Sequence, residues 1–239
     1  MADTHAAVSA GDIGADEELS DNVLGTARLA HGDAAAELAA SHKVVRGRFT
    51  TPWMYQGYLE PQSATASLEP DGELVVRAST QAPFATRDAL AKLFGLAVEQ
   101  VRVRAAPLGG GFGGKMMIVE PLAAAAALVL RRPVQLVLTR SEDLQATNPA
   151  GAQIQHLELG ADAEGNFTGV RSRVLVDRGS NEEFGVESIA AMLSAGPYRW
   201  QAQELTALGI ATNRVPFGAY RAPTAAPAYP PRLAPPESL

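Results

Sequence analysis

Cysteine is absent from the 239-residue chain, which removes disulfides, zinc fingers, protein-held iron–sulfur clusters and cysteine nucleophiles together. Histidine is scarce. His5, His31, His42 and His156 show no HxxxH spacing and no acidic pairing, so a transition metal held by protein ligands is not expected. Basic residues are outnumbered, 20 Lys and Arg against 26 Asp and Glu, and the net charge of −6 argues against a general nucleic-acid binder. Long hydrophobic runs are missing too. The longest, Pro121 to Leu130, falls short of the roughly 20 residues that span a bilayer and ends in Arg131-Arg132. The start, Met1-Ala-Asp-Thr-His, has neither the basic nor the apolar segment of an export signal, so a cytoplasmic protein free of membrane is expected. What is present suffices for a core: 46% of residues are apolar and 19% charged, the balance of a folded chain.

Residues 1–42 are rich in Ala, Gly and Asp and read as a loose arm with one weak helix, Asp33 to Ala40. Val44 to Phe49 opens the ordered body as a strand. At the other end, residues 223–239 hold six prolines, which cannot supply donors to a sheet or continue a helix, and an extended or disordered tail is expected. Between them, Leu74–Ser79, Val101–Ala105 and Val134–Thr139 read as strands. Arg87–Phe94 reads as a helix stopped by Gly95. A second helix follows, with Leu122, Ala125, Ala126, Val129 and Leu130 at helical spacing. This β-α-β-α-β order, with parallel strands, puts Gln81 and the loop Gly109–Gly114 at strand C-termini facing one crevice. Beyond Thr147, Ile154–Gly160 and Thr168–Asp177 form a hairpin signal around Ala163–Asn166. A short helix, Val186–Leu193, and a strand, Glu204–Ala211, complete the pattern. The fold class expected is α+β, a mixed sheet with a βαβαβ portion carrying the glycine loop, followed by antiparallel strands.

Leu108-Gly-Gly-Gly-Phe-Gly-Gly-Lys115 is the most distinctive segment. Its glycines permit close backbone approach and inward N–H groups, and a helix starting just afterwards adds a positive dipole end suited to an anion. A plain hinge between strand and helix is the simplest alternative. As a nucleotide P-loop the segment fails at Met116, where Ser or Thr must hold magnesium. As a dinucleotide loop it lacks the acidic residue about twenty positions on, where Leu130-Arg131-Arg132 stands. Alternate arginines in Val101-Arg-Val-Arg104 also disfavour the buried strand that feeds either motif.

Five segments in order carry a family resemblance: Gln56-Gly-Tyr-Leu-Glu-Pro61, Ser79-Thr-Gln-Ala-Pro83, Gly109-Gly-Gly-Phe-Gly-Gly-Lys115, Arg131-Arg-Pro-Val134 and Ala219-Tyr-Arg221. Together they resemble the molybdopterin-binding large subunit of the xanthine dehydrogenase and aldehyde oxidase family, in its first cofactor-binding domain. The resemblance implies a molybdenum hydroxylase that oxidises an aldehyde or aromatic heterocycle, with water as the oxygen source. It implies cofactor contacts at Gln81, Gly110, Gly111, Phe112, Gly113 and Arg221, with the pterin in the cytosine dinucleotide form or another. The cofactor's own dithiolene sulfurs would hold the metal, and FAD and iron–sulfur clusters would sit on partner subunits or domains.

Departures narrow that expectation. Purine-oxidising members carry glutamate where Met116 stands, and carbon-monoxide-oxidising relatives carry cysteine where Ala222 stands. The family continues past Arg221 into a second domain bearing the general base, so the resemblance implies a truncated subunit, inactive alone, with a separate C-terminal half as partner. Glu60, Glu120, Glu182 and Glu183 do not match that base, and no catalytic residue is nominated. The expected organisation is an arm and remnant of a preceding domain over 1–42, the molybdopterin-binding domain over 43–222 and the tail over 223–239. The alternative is a non-catalytic scaffold that binds a partner only.

Overall fold

The computed structural model describes residues 22–180 and 185–224; His5, Glu182, Glu183 and the tail from 225 lie outside the described residues. Along the chain run β1 (Val23–His31), α1 (Ala34–Ala40), β2 (Lys43–Thr51), β3 (Ser63–Leu68), β4 (Leu74–Ala78), α2 (Pro83–Phe94) and β5 (Val101–Ala105). Then come α3 (Glu120–Leu130), β6 (Val134–Val137), α4 (Arg140–Ala146), β7 (Gln153–Ala161), β8 (Phe167–Gly179), α5 (Glu187–Ser194) and β9 (Ala202–Ala211). The class is α+β with mixed sheets, as expected. The chain forms two compact units: one takes the described residues up to Met54, Ala150–Phe217 and those from Arg221, the other Tyr55–Pro149 and Gly218–Tyr220.

The first unit is a five-stranded sheet in the order β1-β9-β8-β7-β2. β7 and β8 form the expected antiparallel hairpin, its turn held by Asp162, which accepts the N–H groups of Glu164 at 3.0 Å and Asn166 at 2.7 Å. β9 returns parallel to β8 through α5. One sheet face packs Val170, Val174, Val176, Leu205 and Ala207 with Val186, Ala190 and Ala191. The opposite face carries an alternating charge row across all five strands. Arg28 meets Glu204 at 2.6 Å, Glu204 meets Arg171 at 3.1 Å, Arg171 meets Glu158 at 3.1 Å, and Glu158 pairs with Arg46.

The loose arm expected over 1–42 is corrected from Val23 onward. β1 pairs antiparallel with β9; the helix expected from Asp33 to Ala40 is present as α1, capped by Asp33, which accepts the Ala36 N–H at 3.0 Å. Val-Leu-Gly-Thr-Ala-Arg-Leu-Ala-His has little intrinsic strand character; the open edge of β9 supplies the hydrogen-bonding partner that makes it a strand.

The second unit is a four-stranded sheet in the order β5-β4-β3-β6. β4 and β5 are parallel, while β3 is antiparallel to both β4 and β6, so β4, β5 and β6 share one direction. The β-α-β-α-β alternation is therefore present, with β3 inserted between β4 and β6. α2 ends as expected at Gly95, left-handed at φ +64°, whose N–H returns to the helix carbonyls.

The face of α3 differs from the expected one. Ala123, Ala124 and Ala127 are buried, whereas Leu122 is 63% and Val129 82% exposed. Alanines let the helix lie close over β3, whose Ala64 and Ala66 are equally small and belong to the same core. The larger side chains are then forced outward.

Candidate functional site

The glycine loop is positioned by the parallel pair β4 and β5. Ala78 and Ala105 are register partners at the strand ends, so the chain leaves both strands at one sheet edge. Gln81 follows β4 and Gly109–Gly114 follows β5. The Gln81 N–H donates to the Lys115 carbonyl at 2.9 Å. In return Gln81 Oε1 accepts the Gly113 N–H at 2.9 Å and the Lys115 N–H at 3.4 Å. The structure thus brings together Gln81, Gly110, Gly111, Phe112 and Gly113. With its oxygen engaged, the Gln81 carboxamide keeps its Nε2 donor without a partner among the described residues. The N–H groups of Gly110, Gly111 and Phe112 also lack one there. A run of unengaged donors suits an acceptor-rich ligand.

The loop is packed more closely than a plain hinge requires. Gly113 has φ +101°, and a Cβ there would lie 2.5 Å from the Ala219 carbonyl oxygen. A Cβ on Gly111 would fall on Gln81 Oε1. Phe112 is held in the left-handed region at φ +51° while 45% exposed. Backbone strain and an exposed aromatic at a loop tip are features that cluster at ligand sites.

Beneath the loop lies the segment Gln56 to Gln62, whose alternate side chains all reach it. Gln56 Nε2 donates to the carbonyls of Asn148 at 2.8 Å and Ala219 at 2.9 Å. Gln62 Nε2 donates to the Gly114 carbonyl at 2.7 Å and to the Tyr58 hydroxyl at 3.1 Å. Glu60 accepts the Gly109 N–H at 2.8 Å and the Lys115 ammonium at 2.5 Å. Lys115, fully buried, also lies over the Tyr58 ring at 4.9 Å. Burial would raise the Glu60 carboxyl, but Lys115 and the Gly109 N–H outweigh it and hold the group below its ordinary value. Lys115 is therefore spent inside the protein, which removes the phosphate-binding lysine from the P-loop reading as Met116 removes its hydroxyl.

Asp143, fully buried on α4, anchors the same segment. It accepts from the hydroxyls of Tyr55 and of Tyr58 (3.2 Å), from the Gln62 N–H at 3.3 Å and from Arg140 at 2.9 Å. Burial, with Asp143 alongside, pushes the Tyr55 hydroxyl well above its ordinary value. Sequence reasoning missed this cradle, although the capping box Thr139-x-x-Glu142 announces α4.

One electrostatic expectation is corrected. α3 does not start at the loop but at Glu120, whose carboxylate accepts the Val119 N–H at 3.1 Å. The helix N-terminus is already occupied by a carboxyl group of its own chain, so its dipole is not aimed at a ligand. Arg221 follows Tyr220 in the chain, is exposed, belongs to the first unit and makes no ion pair among the described residues. No group of three or more His, Asp and Glu able to hold a metal ion occurs among the described residues.

Fold and loop together define a cofactor-binding domain, and comparison with known proteins agrees. Residues 15–229 match the molybdopterin cofactor-binding domain family, and the chain belongs to it. It is 30% identical over 203 residues to a probable xanthine dehydrogenase component of Bacillus subtilis, covering 84% of this chain and 27% of that protein. Among solved structures, quinoline 2-oxidoreductase from Pseudomonas putida superposes with a TM-score of 0.79 at 28% identity, over 91% of this chain and 28% of that one. Aldehyde oxidoreductase from Desulfovibrio gigas shares the fold, with a TM-score of 0.80 at 24% identity over 89% of this chain and 24% of that one. The chain spans about a quarter of the length of the first of these relatives.

Proposed function

We propose that the chain supplies one side of the molybdopterin site of a molybdenum hydroxylase. Gln81, Gly110, Gly111, Phe112, Gly113 and Arg221 are the residues that hold the cofactor. The observation that carries this reading is the commitment of Gln81 Oε1 to loop N–H groups, which leaves Gln81 Nε2 and the Gly110–Phe112 N–H groups as donors for an acceptor-rich group. When bound, the group supplies two-electron oxidation at carbon; the chain's part is to bind and orient it, with the donors fixed before it arrives.

The substrate class is an aldehyde or an aromatic heterocycle, with oxygen drawn from water. Aldehyde and quinoline appear in the names of the solved relatives, while Met116 and Ala222 depart from the purine and carbon-monoxide patterns. The general base comes from outside the described residues of this chain. Iron–sulfur and FAD components reside on partner subunits, in the cytoplasm; among the described residues no helix is long and apolar enough to cross a membrane.

The test is molybdenum and pterin content of the full chain co-expressed with its partner subunits. Stoichiometric molybdenum is expected, and Gln81→Ala should reduce it about 10–100-fold in affinity terms, the usual effect of losing a group that orients a metal centre. A folded wild-type chain that takes up no molybdenum would instead establish a binding scaffold.

A further inference from the structure

Four alternate side chains of Gln56–Gln62 support the loop, and one of the contacts is of a kind that packing alone does not require. Lys115 is fully buried, and its ammonium pairs with Glu60 Oε2 at 2.5 Å. That same oxygen accepts the Gly109 N–H at 2.8 Å. Glu60 thereby joins the first glycine of the loop to the lysine that directly follows its last. An ion pair whose ammonium is fully buried and whose carboxylate is one third exposed is a poor choice for stability, since apolar residues of similar volume commonly serve as well or better. Its distinctive property is direction: two charge-assisted contacts converge on one oxygen and fix both ends of a loop that glycine would otherwise leave free.

We propose that Glu60 and Lys115 are positioning residues: their ion pair ties the two ends of the glycine loop so that the Gly113 and Lys115 N–H groups stay on Gln81 Oε1 and Gln81 Nε2 remains the presented donor. Lys115 lies next to Gly114 in the chain, and its own N–H is one of the two that hold Gln81. The residue whose ammonium is tied to Glu60 is thus the residue whose amide holds Gln81. Gln62 on Gly114 and Gln56 on Ala219 support the loop from below, but neither spans its two ends. The identity of the ligand presented to Gln81 rests on the molybdopterin reading; the tie itself does not.

The test uses the full chain as wild type, Glu60→Gln, Lys115→Met and the double variant Glu60→Met with Lys115→Met. Thermal unfolding is read alongside amide hydrogen exchange at Gly113 and Lys115, with Val76 in β4 as the internal reference. Glu60→Gln strands a buried charge and is expected to lower the unfolding temperature, as any structural role would demand. The double variant removes both charges at similar volume. Its unfolding temperature is expected to recover, while exchange at Gly113 and Lys115 stays at least about tenfold faster than in the wild type with Val76 unchanged.

Loop protection that recovers together with stability overturns the proposal and leaves the pair as packing. Should the double variant not fold, Glu60→Gln decides alone: faster exchange confined to the loop supports the tie, and a uniform rise that includes Val76 overturns it. Pterin content of the co-expressed complex is a separate arm, with roughly tenfold lower retention expected in the double variant. A wild type that holds no pterin sinks the molybdopterin reading, while the exchange data still decide the tie.

Discussion

At the scale of single residues, Gly111 and Gly113 sit two positions apart yet answer to different constraints. A side chain on Gly113 meets backbone, the Ala219 carbonyl, at a φ of +101° that L-residues rarely adopt. Gly113→Ala is therefore expected to destabilise the chain by about 1–3 kcal/mol, read as a lower midpoint in urea unfolding. Gly72 has a similar φ of +88° but open space around it, and Ala there should cost only about 1 kcal/mol. A side chain on Gly111 meets the end of Gln81, which can make room only by leaving the Gly113 and Lys115 N–H groups. Gly111→Ala should cost about 0.5–1.5 kcal/mol in urea unfolding, the scale of a lost hydrogen bond, while lowering pterin content of the co-expressed complex. If both variants instead lose stability equally, the Gln81 side chain does not yield to the added methyl group.

Elements show why some of this is legible in sequence and some is not. β7 and β8 are legible because apolar residues cluster around a turn carrying Asp162 and Gly165, and α2 because Gly95 stops it. β3, Ser-Ala-Thr-Ala-Ser-Leu, alternates between small side chains up to Leu68, and its partners on either side create it. α3 misleads because periodicity ranks Leu and Val above Ala, whereas close approach to β3 selects Ala. Ala127→Leu should accordingly cost about 1–3 kcal/mol by overpacking, and Leu122→Ser on the exposed face less than about 0.5 kcal/mol. The loop and Gln81 are legible from their motif, but the cradle is not, because Glu60 meets Gly109 and Lys115 across 49 and 55 residues. The start of α3 also carries a pH dependence. Burial raises the Glu120 carboxyl above its ordinary value of 4.5, against the backbone N–H groups that favour its ionised form. The folded chain thus holds this proton to higher pH than the unfolded one, so the contribution is full below 4.5 and is lost as pH rises through the raised value. The stability of Glu120→Gln relative to wild type should therefore improve between about pH 4 and pH 8 in parallel thermal scans. A difference that stays flat with pH would show that Glu120 does not titrate there.

Across the whole molecule, long-range partners dominate. The charge row of the five-stranded sheet is exposed at its ends, 62% at Arg28 and 67% at Arg46, and sheltered at Glu158 with 11%. Arg46→Ala is expected to change stability by less than about 1 kcal/mol, and Glu158→Gln to cost about 1–3 kcal/mol because Arg171 loses a sheltered carboxylate. Urea unfolding at low and high salt should shrink the first effect more than the second. The same long reach has a consequence for synthesis. Arg28 waits 176 residues for Glu204, so β1 has no partner until β9 is made. Tyr55–Pro149 leaves the ribosome much earlier and can build its sheet and loop while the rest is still being translated. Yet Gln56 waits 163 residues for the Ala219 carbonyl, the same group that walls in Gly113. Translation therefore sets the glycine loop in place early and closes it late, and a nascent chain stalled before Ala219 carries that loop with one wall missing.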